Sequence, residues 1–267
     1  MYLLKKVDKD NMNDKLNQLN EEILSWWKGL KSLDESTWNE YACPYLINVS
    51  EEYINAKLKV LLVGKETFGW GDGKEDFSKT IEDRTEITVE DLTNLYRKFV
   101  IDGWGWIGES QTPFWRHVEN IRGIGEGDNP NEYCVGKVGI AVSNIALLGW
   151  RYEERFDTRL EQKLTEFLRR QLDILSPDLI LFSVGLGSSS NKDYERVLKG
   201  VFRDDIRSNY RDDWDEETHF TMLGEVRRQG EKPQLLYSCY HPQYKSCYNK
   251  IYDKLFPIIK QLCQEIC

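Results

Sequence analysis

The chain carries four short apolar runs, each closed by glycine or polar residues. They are Val60-Leu61-Leu62-Val63, Val138 to Val142, Leu179 to Val184, and Leu235 to Cys239. Runs of this length, rich in β-branched residues and lacking polar alternation, leave no face for water. Each predicts a strand covered on both sides. The segments between them carry a different period. Met12, Leu16, Leu19, Ile23, Trp26 or Trp27, and Leu30 recur every three or four residues, which predicts an amphipathic helix over 12–33. Residues 34–57 suggest one or two short helical pieces. Leu92, Leu95, Tyr96 and Phe99 give a buried stripe to a helix starting near Thr88 or Val89. Thr112-Pro113 opens another through Phe114, Trp115, Val118 and Ile121, with Pro at the first helical position. Asp157 or Thr158 caps a helix whose stripe runs from Leu160 to Leu175, and Ser176-Pro177 stops it. Residues 147–154 read as a surface turn and 191–211 as partly helical. A last helix covers 244–267, with Pro257 inside it.

Helices alternating with four buried strands predict an α/β fold: a three-layer α/β/α sandwich on a four-stranded parallel sheet with right-handed crossovers. Residues 1–57 are expected as an N-terminal helical extension packed on the core, and 58–267 as the α/β domain. There are no internal repeats and no low-complexity tracts.

Composition narrows the function. With 267 residues, the chain can bury a sizeable core. A formal charge of −9 argues against holding nucleic acid by bulk electrostatics, though not against a local basic face. No segment is apolar enough to span a membrane, and the first residues lack a signal-peptide core, so a cytoplasmic setting is expected. The six cysteines form no C-x-x-C pair. Cys263 and Cys267 lack the partners for a tetrahedral site, so neither a metal nor another cofactor is expected. Nothing here fixes the oligomeric state.

Candidate chemistry collects where the strands end, the edge at which open parallel sheets bind ligands. The first run leads into Gly64-Lys65-Glu66, the second into Ser143-Asn144. The third leads into Gly185-Leu186-Gly187-Ser188-Ser189-Ser190, and the fourth into His241-Pro242. A carboxylate can stabilise positive charge on a sugar and orient water. A neutral histidine can donate to a base oxygen. An Asn amide carries a donor and an acceptor, and an aromatic face can hold a base by stacking.

This order of motifs resembles the uracil-DNA glycosylase superfamily over roughly residues 58–256. There the first motif reads G-Q-D-P-Y, the middle strand ends in a base-reading Asn, a Gly/Ser loop holds phosphate, and the last motif is H-P-S. The resemblance implies Glu66 and His241 as the catalytic pair. It implies Asn144 as base reader and Phe77, in D-F-S, as stacking aromatic. Lys65 falls beside the base, and Ser188 and Ser189 fall in the phosphate loop. Lys65-Glu66-Thr67-Phe68 departs from Q-D-P-Y, and Gln243-Tyr244-Lys245 departs from Ser-Pro-Leu. Tyr244 or Lys245 would take the place of the apolar wedge on DNA. The implied activity is excision of a flipped, possibly modified pyrimidine from DNA, without a metal.

Blander roles stand beside these. Glu66 reads equally as a solvated residue, Lys65 as its salt-bridge partner and Asn144 as a turn cap. Phe77 reads as packing, and Ser188 to Ser190 as a helix N-cap. His117 and His219 read as structural. Arg196, Lys199, Arg203, Arg207 and Arg211 step along one helix face. Interleaved aspartates make that face a salt-laced surface before a phosphate-binding one. A non-catalytic binding module on the same fold, or an enzyme on free nucleosides, stays open beside the glycosylase.

Overall fold

The computed structural model describes residues 9–66, 70, 84–102, 114, 118, 120–121, 137–150, 156–186, 191–208, 210, 212, 215, 217–227, 232–240 and 248–266. Within them the chain forms a five-stranded sheet with helices around it. The strands are β1 (Leu58–Glu66), β2 (Val138–Ala146), β3 (Leu179–Ser183), β4 (Thr221–Val226) and β5 (Gln234–Cys239), in the spatial order β2-β1-β3-β5-β4. The first four in that order pair in parallel, and β4 runs antiparallel to β5. The expectation of four parallel strands is therefore corrected to five strands, one of them antiparallel. The fifth, T-M-L-G-E-V, escaped notice because its apolar content is low. Gly224 interrupts its pattern at a register irregularity between Met222 and Gly224.

Val60 to Val63 and all of β3 are fully buried, as strands covered on both faces must be. Consecutive residues of a strand face opposite sides. On one side, Ser143 donates to Gln171 of α5 (Glu161–Leu175) at 2.9 Å. On the other, Phe114 lies against Gly64 and Asn144. Phe114, Val118, Asn120 and Ile121 are helical, as the Thr112-Pro113 signal predicts. Asn120 ties this stretch to Tyr252 of α7 (Tyr248–Ile266) at 3.2 Å.

The helices form for local reasons. α1 (Lys9–Leu33) buries Met12, Leu16, Leu19, Ile23 and Trp27 along one stripe. The short α2 (Glu35–Glu40) and α3 (Glu51–Asn55) are capped by the Asp34 and Ser50 side chains. α4 (Val89–Tyr96) starts on a reciprocal capping box between Thr88 and Asp91, and a π-helical turn, Arg97–Ile101, follows it. Asp157 caps a short 3₁₀ turn before α5. Ser176, in the left-handed conformation at φ 43°, ends that helix.

α6 (Lys192–Phe202) stops nine residues before Arg211. Arg203 and Arg207 therefore do not extend its face. Arg196 pairs with Glu161 and Asp193, and Lys199 with Glu195. The salt-laced reading holds for these two residues.

One further finding corrects the sequence reading. Residues 147–150 are not a surface turn, because Leu147, Leu148 and Trp150 are buried. The chain at 41–45 runs beside them: the Ala42 and Tyr45 amides donate to the Gly149 and Leu147 carbonyls at 2.9 and 2.8 Å. The outer edge of β2 is also closed. The Tyr96 hydroxyl accepts from the Val142 amide at 2.9 Å and donates to its carbonyl at 3.1 Å. That removes a bare strand edge two residues before Asn144.

Candidate functional site

β1 and β2 are longer than their apolar runs, so Gly64, Lys65, Glu66, Ser143 and Asn144 all lie inside strands, not beyond them. Pairing continues because parallel partners are available on the neighbouring strand. Gly64 stands directly opposite Asn144, and Glu66 opposite Ala146. The turn-cap role for Asn144 falls with this placement.

The missing side chain of Gly64 shapes the site. A Cβ at that position would lie 2.5 Å from Asn144 Oδ1 and 3.1 Å from the Phe114 ring. Glycine thus lets the amide and the aromatic ring converge over the β1 backbone. Asn144 is only 6% exposed, yet its amide makes no hydrogen bond among the described residues. Its neighbour on the opposite face is treated differently, since Ser143 is fully buried and bonded to Gln171. An amide with a free donor and a free acceptor, beside an aromatic ring and at the carboxyl edge of a parallel sheet, is equipped to read the edge of a planar ligand.

The other strand ends meet the same edge. The Gly185 amide, at φ 62°, donates to the Cys239 carbonyl at 3.0 Å and ties the end of β3 to the end of β5. Asn191 bridges the start of α6 to β3: its buried Nδ2 donates to the Val184 and Gly185 carbonyls at 2.9 and 2.8 Å. These bonds hold Gly185 against β5 and Asn191 against the end of β3. Trp70, four residues after Glu66, is buried against Tyr45 and Phe99, and its carbonyl accepts the Cys43 amide at 3.0 Å. The N-terminal chain therefore holds Trp70 in place.

Because β4 is antiparallel, its N-terminal end lies at the edge where the parallel strands finish. That brings His219, read from sequence as structural, beside Tyr240 at the end of β5. Their rings stack at 3.7 Å, and the Tyr240 hydroxyl meets His219 Nε2 at 2.6 Å. Burial lowers the His219 pKa below the ordinary histidine value, and Asp215 opposes that shift.

Of the sequence-predicted site residues, Gly64, Lys65 and Asn144 come together on paired strands, with the Glu66 backbone next to them. Phe77, Ser188, Ser189, His241, Tyr244 and Lys245 lie outside the described residues. Phe114 and His219 are additions. Phe114 was legible only as a helix residue, because nothing local says which strand its helix crosses. His219 could have been found through β4, whose antiparallel course decides where it sits.

Among the described residues, no group of three His, Cys, Asp or Glu side chains could hold a metal, and no helix is long and apolar enough to cross a membrane. No protein-family model matches the chain, and none of the curated proteins matches it.

Proposed function

We propose that this chain is a DNA glycosylase-like enzyme on a three-layer framework of the uracil-DNA glycosylase kind. It takes a pyrimidine base, plain or modified, out of the stack and hydrolyses its N-glycosidic bond. The observation that carries the reading is the Asn144 amide. It is nearly buried, unpaired among the described residues, and held beside Phe114 by the absence of a Gly64 side chain. A group so placed gains its missing hydrogen bonds only from a ligand or from water.

In this reading the C1′–N bond breaks with its electrons passing to the base, and a water oxygen bonds to C1′. Glu66 stabilises the sugar cation and orients the water, whose proton passes to it or to solvent. His241 donates to the base oxygen on which negative charge develops. Asn144 reads the base edge. Phe77 stacks on the ring in the role the family resemblance gives it, with Phe114 a second aromatic wall. DNA would be held through Ser188, Ser189, Tyr244 and Lys245, with Lys65 beside the base.

A non-catalytic binding role on the same site has one observation of its own. The chain carries a net charge of −9, and Arg196 and Lys199 on α6 are already paired with carboxylates. That leaves α6 poorly suited to phosphate.

The test is an excision assay on oligonucleotides carrying uracil, hypoxanthine, xanthine or modified cytosines. Alkali-labile sites made by the wild type and lost in Glu66→Gln, His241→Ala and Asn144→Ala are expected. A folded protein that binds an oligonucleotide or nucleotide and cuts none of them supports the binding role and ends the glycosylase reading. Binding that falls steeply with salt identifies nucleic acid as the partner.

A further inference from the structure

We infer that the cleft between the first turns of α1, the cap of α3 and the π-helical turn after α4 is a second ligand site. It takes a small zwitterion, an amino acid or short peptide whose carboxylate meets Arg97 and whose ammonium meets Asp102. The inference does not rest on the glycosylase reading. The cleft measures about 550 Å³, and Asn13, Asn48, Val49, Arg97, Ile101 and Asp102 are among the residues that line it. A concave space of that size suits a small molecule. It lies away from Asn144. Glu52, on the α3 wall, sits beside Gly139 at the start of β2, where an added Cβ would stand 3.1 Å from the Glu52 carbonyl oxygen. Asn144 is near the other end of the same strand.

The walls are held by bonds within the fold. Asn20 Nδ2 of α1 donates to the Ile47 carbonyl at 2.9 Å, which ties the chain before α3 to α1. Ser50 Oγ accepts the Tyr53 amide at 3.2 Å, so that hydroxyl is engaged in capping α3. The Asp102 amide donates to the Arg97 carbonyl at 2.8 Å, a bond that spans five residues. In an α-helix, residues five apart stand about 140° apart round the axis. The wider turn draws Arg97 and Asp102 to one side, and both line the cleft. π-Helical turns of this kind frequently mark functional sites.

Arg97 and Asp102 are exposed, while Asn13 and Asn48 are half-buried. Among the described residues, none of these four side chains has a hydrogen-bond or ion-pair partner. Two opposite charges therefore share one turn and one cleft without pairing. The class of ligand follows from this. Arg97 is the only cation among the described residues lining the cleft, and its planar guanidinium matches a carboxylate. Glu51, Glu52 and Asp102 line the same space, so a di- or triphosphate is repelled. A simple cation leaves Arg97 unmatched, whereas a zwitterion answers both signs. The Asn13 and Asn48 amides can each donate and accept along its backbone. Val49 and Ile101 offer apolar contact to a side chain.

The test is titration calorimetry on the full-length protein at low salt. The probes are the standard amino acids and dipeptides built from the apolar ones, which separates free amino acids from peptides as the source. At least one is expected to bind in the micromolar to millimolar range. Its N-acetyl form lacks the ammonium and its carboxamide form lacks the carboxylate. Each should bind the wild type about tenfold more weakly, the effect of losing one charge-assisted hydrogen bond. Arg97→Gln should weaken the zwitterion about tenfold and leave the carboxamide form unchanged. Asp102→Asn should weaken it as much and leave the N-acetyl form unchanged. The blocked forms are compared on the wild type, so that comparison holds even where a variant folds poorly. No binding of any probe at millimolar concentration, blocked forms that bind as tightly as the zwitterion, or affinity indifferent to both substitutions overturns the inference. So does binding of spermidine or inorganic phosphate in place of the zwitterions. Excision should be unchanged in Arg97→Gln and Asp102→Asn, and Asn144→Ala should leave zwitterion binding unchanged. The two readings therefore fail separately.

Discussion

At the rim where the parallel strands begin, Asp178 closes every local bond. Its carboxylate accepts the Lys59 amide at 2.8 Å, its own amide donates to the Lys59 carbonyl at 2.8 Å, and its carbonyl accepts from Leu235 at 2.9 Å. At the rim where they end, Asn144 is nearly as buried as the core, yet its amide meets no protein partner among the described residues. The same sheet thus finishes one end for stability and leaves the other with unspent hydrogen-bonding capacity. A polar group bonded inside the fold contributes to folding. One that meets no protein partner at the rim keeps its donor and acceptor for water or a ligand.

The sharpest way to break this comparison is Asn144→Ala. If the amide reads a substrate, excision should fall about 10²–10³-fold, the size seen when a preorganised donor is removed. Thermal stability should stay level or rise, because no protein bond is lost. A variant that unfolds would show that Asn144 supports the fold through its packing and would remove the contrast between the two rims. Gly64→Ala comes next. The added methyl meets Asn144 Oδ1 and the Phe114 ring, so the amide must move. A stability loss of about 1–3 kcal/mol is expected from the crowding, with loss of ligand reading, in denaturant melts and excision assays run side by side.

The smallest effects belong to the closed rim. Asp178→Ala should cost about 1–2 kcal/mol in urea melts, since it strips the acceptor from the Lys59 amide, and should leave excision unchanged. Asp178→Asn keeps an acceptor and sharpens the point. Burial raises the Asp178 pKa, against the opposing pull of the Lys59 amide and the Lys232 and Lys59 charges. A raised carboxyl favours the protonated folded state, so its contribution is full below the ordinary Asp value of about 3.9. It is lost as pH climbs through the raised folded value. Asp178→Asn removes that loss, and stability should fall less with rising pH over that window than in the wild type. An unaltered pH dependence would show that Asp178 ionises in the fold as freely as in the unfolded chain.

Much of the architecture was written locally. Val60 to Val63 and Leu179 to Phe182 could only be strands covered on both faces, because no residue in them tolerates water. Thr88 with Asp91, and Asp157, announced helix starts through side-chain bonds to nearby amides. Gly64 and Asn144 were legible as site residues from their place after apolar runs. Their relation to each other was not, since it depends on which strands pair and in what register.

The sequence by itself determined the alternation of helix and strand, and the edge at which polar residues gather, because propensity, capping and apolar runs act over a few residues. Tertiary structure alone decided that Gly64 faces Asn144, that Phe114 crosses above them, and that an antiparallel fifth strand delivers His219 to Tyr240. The sequence separations show the reason. Gly64 and Asn144 lie 80 positions apart, and His219 and Tyr240 lie 21 apart. Contacts over such distances are chosen by the burial and hydrogen bonding of the whole sheet, and no local window of sequence contains that choice.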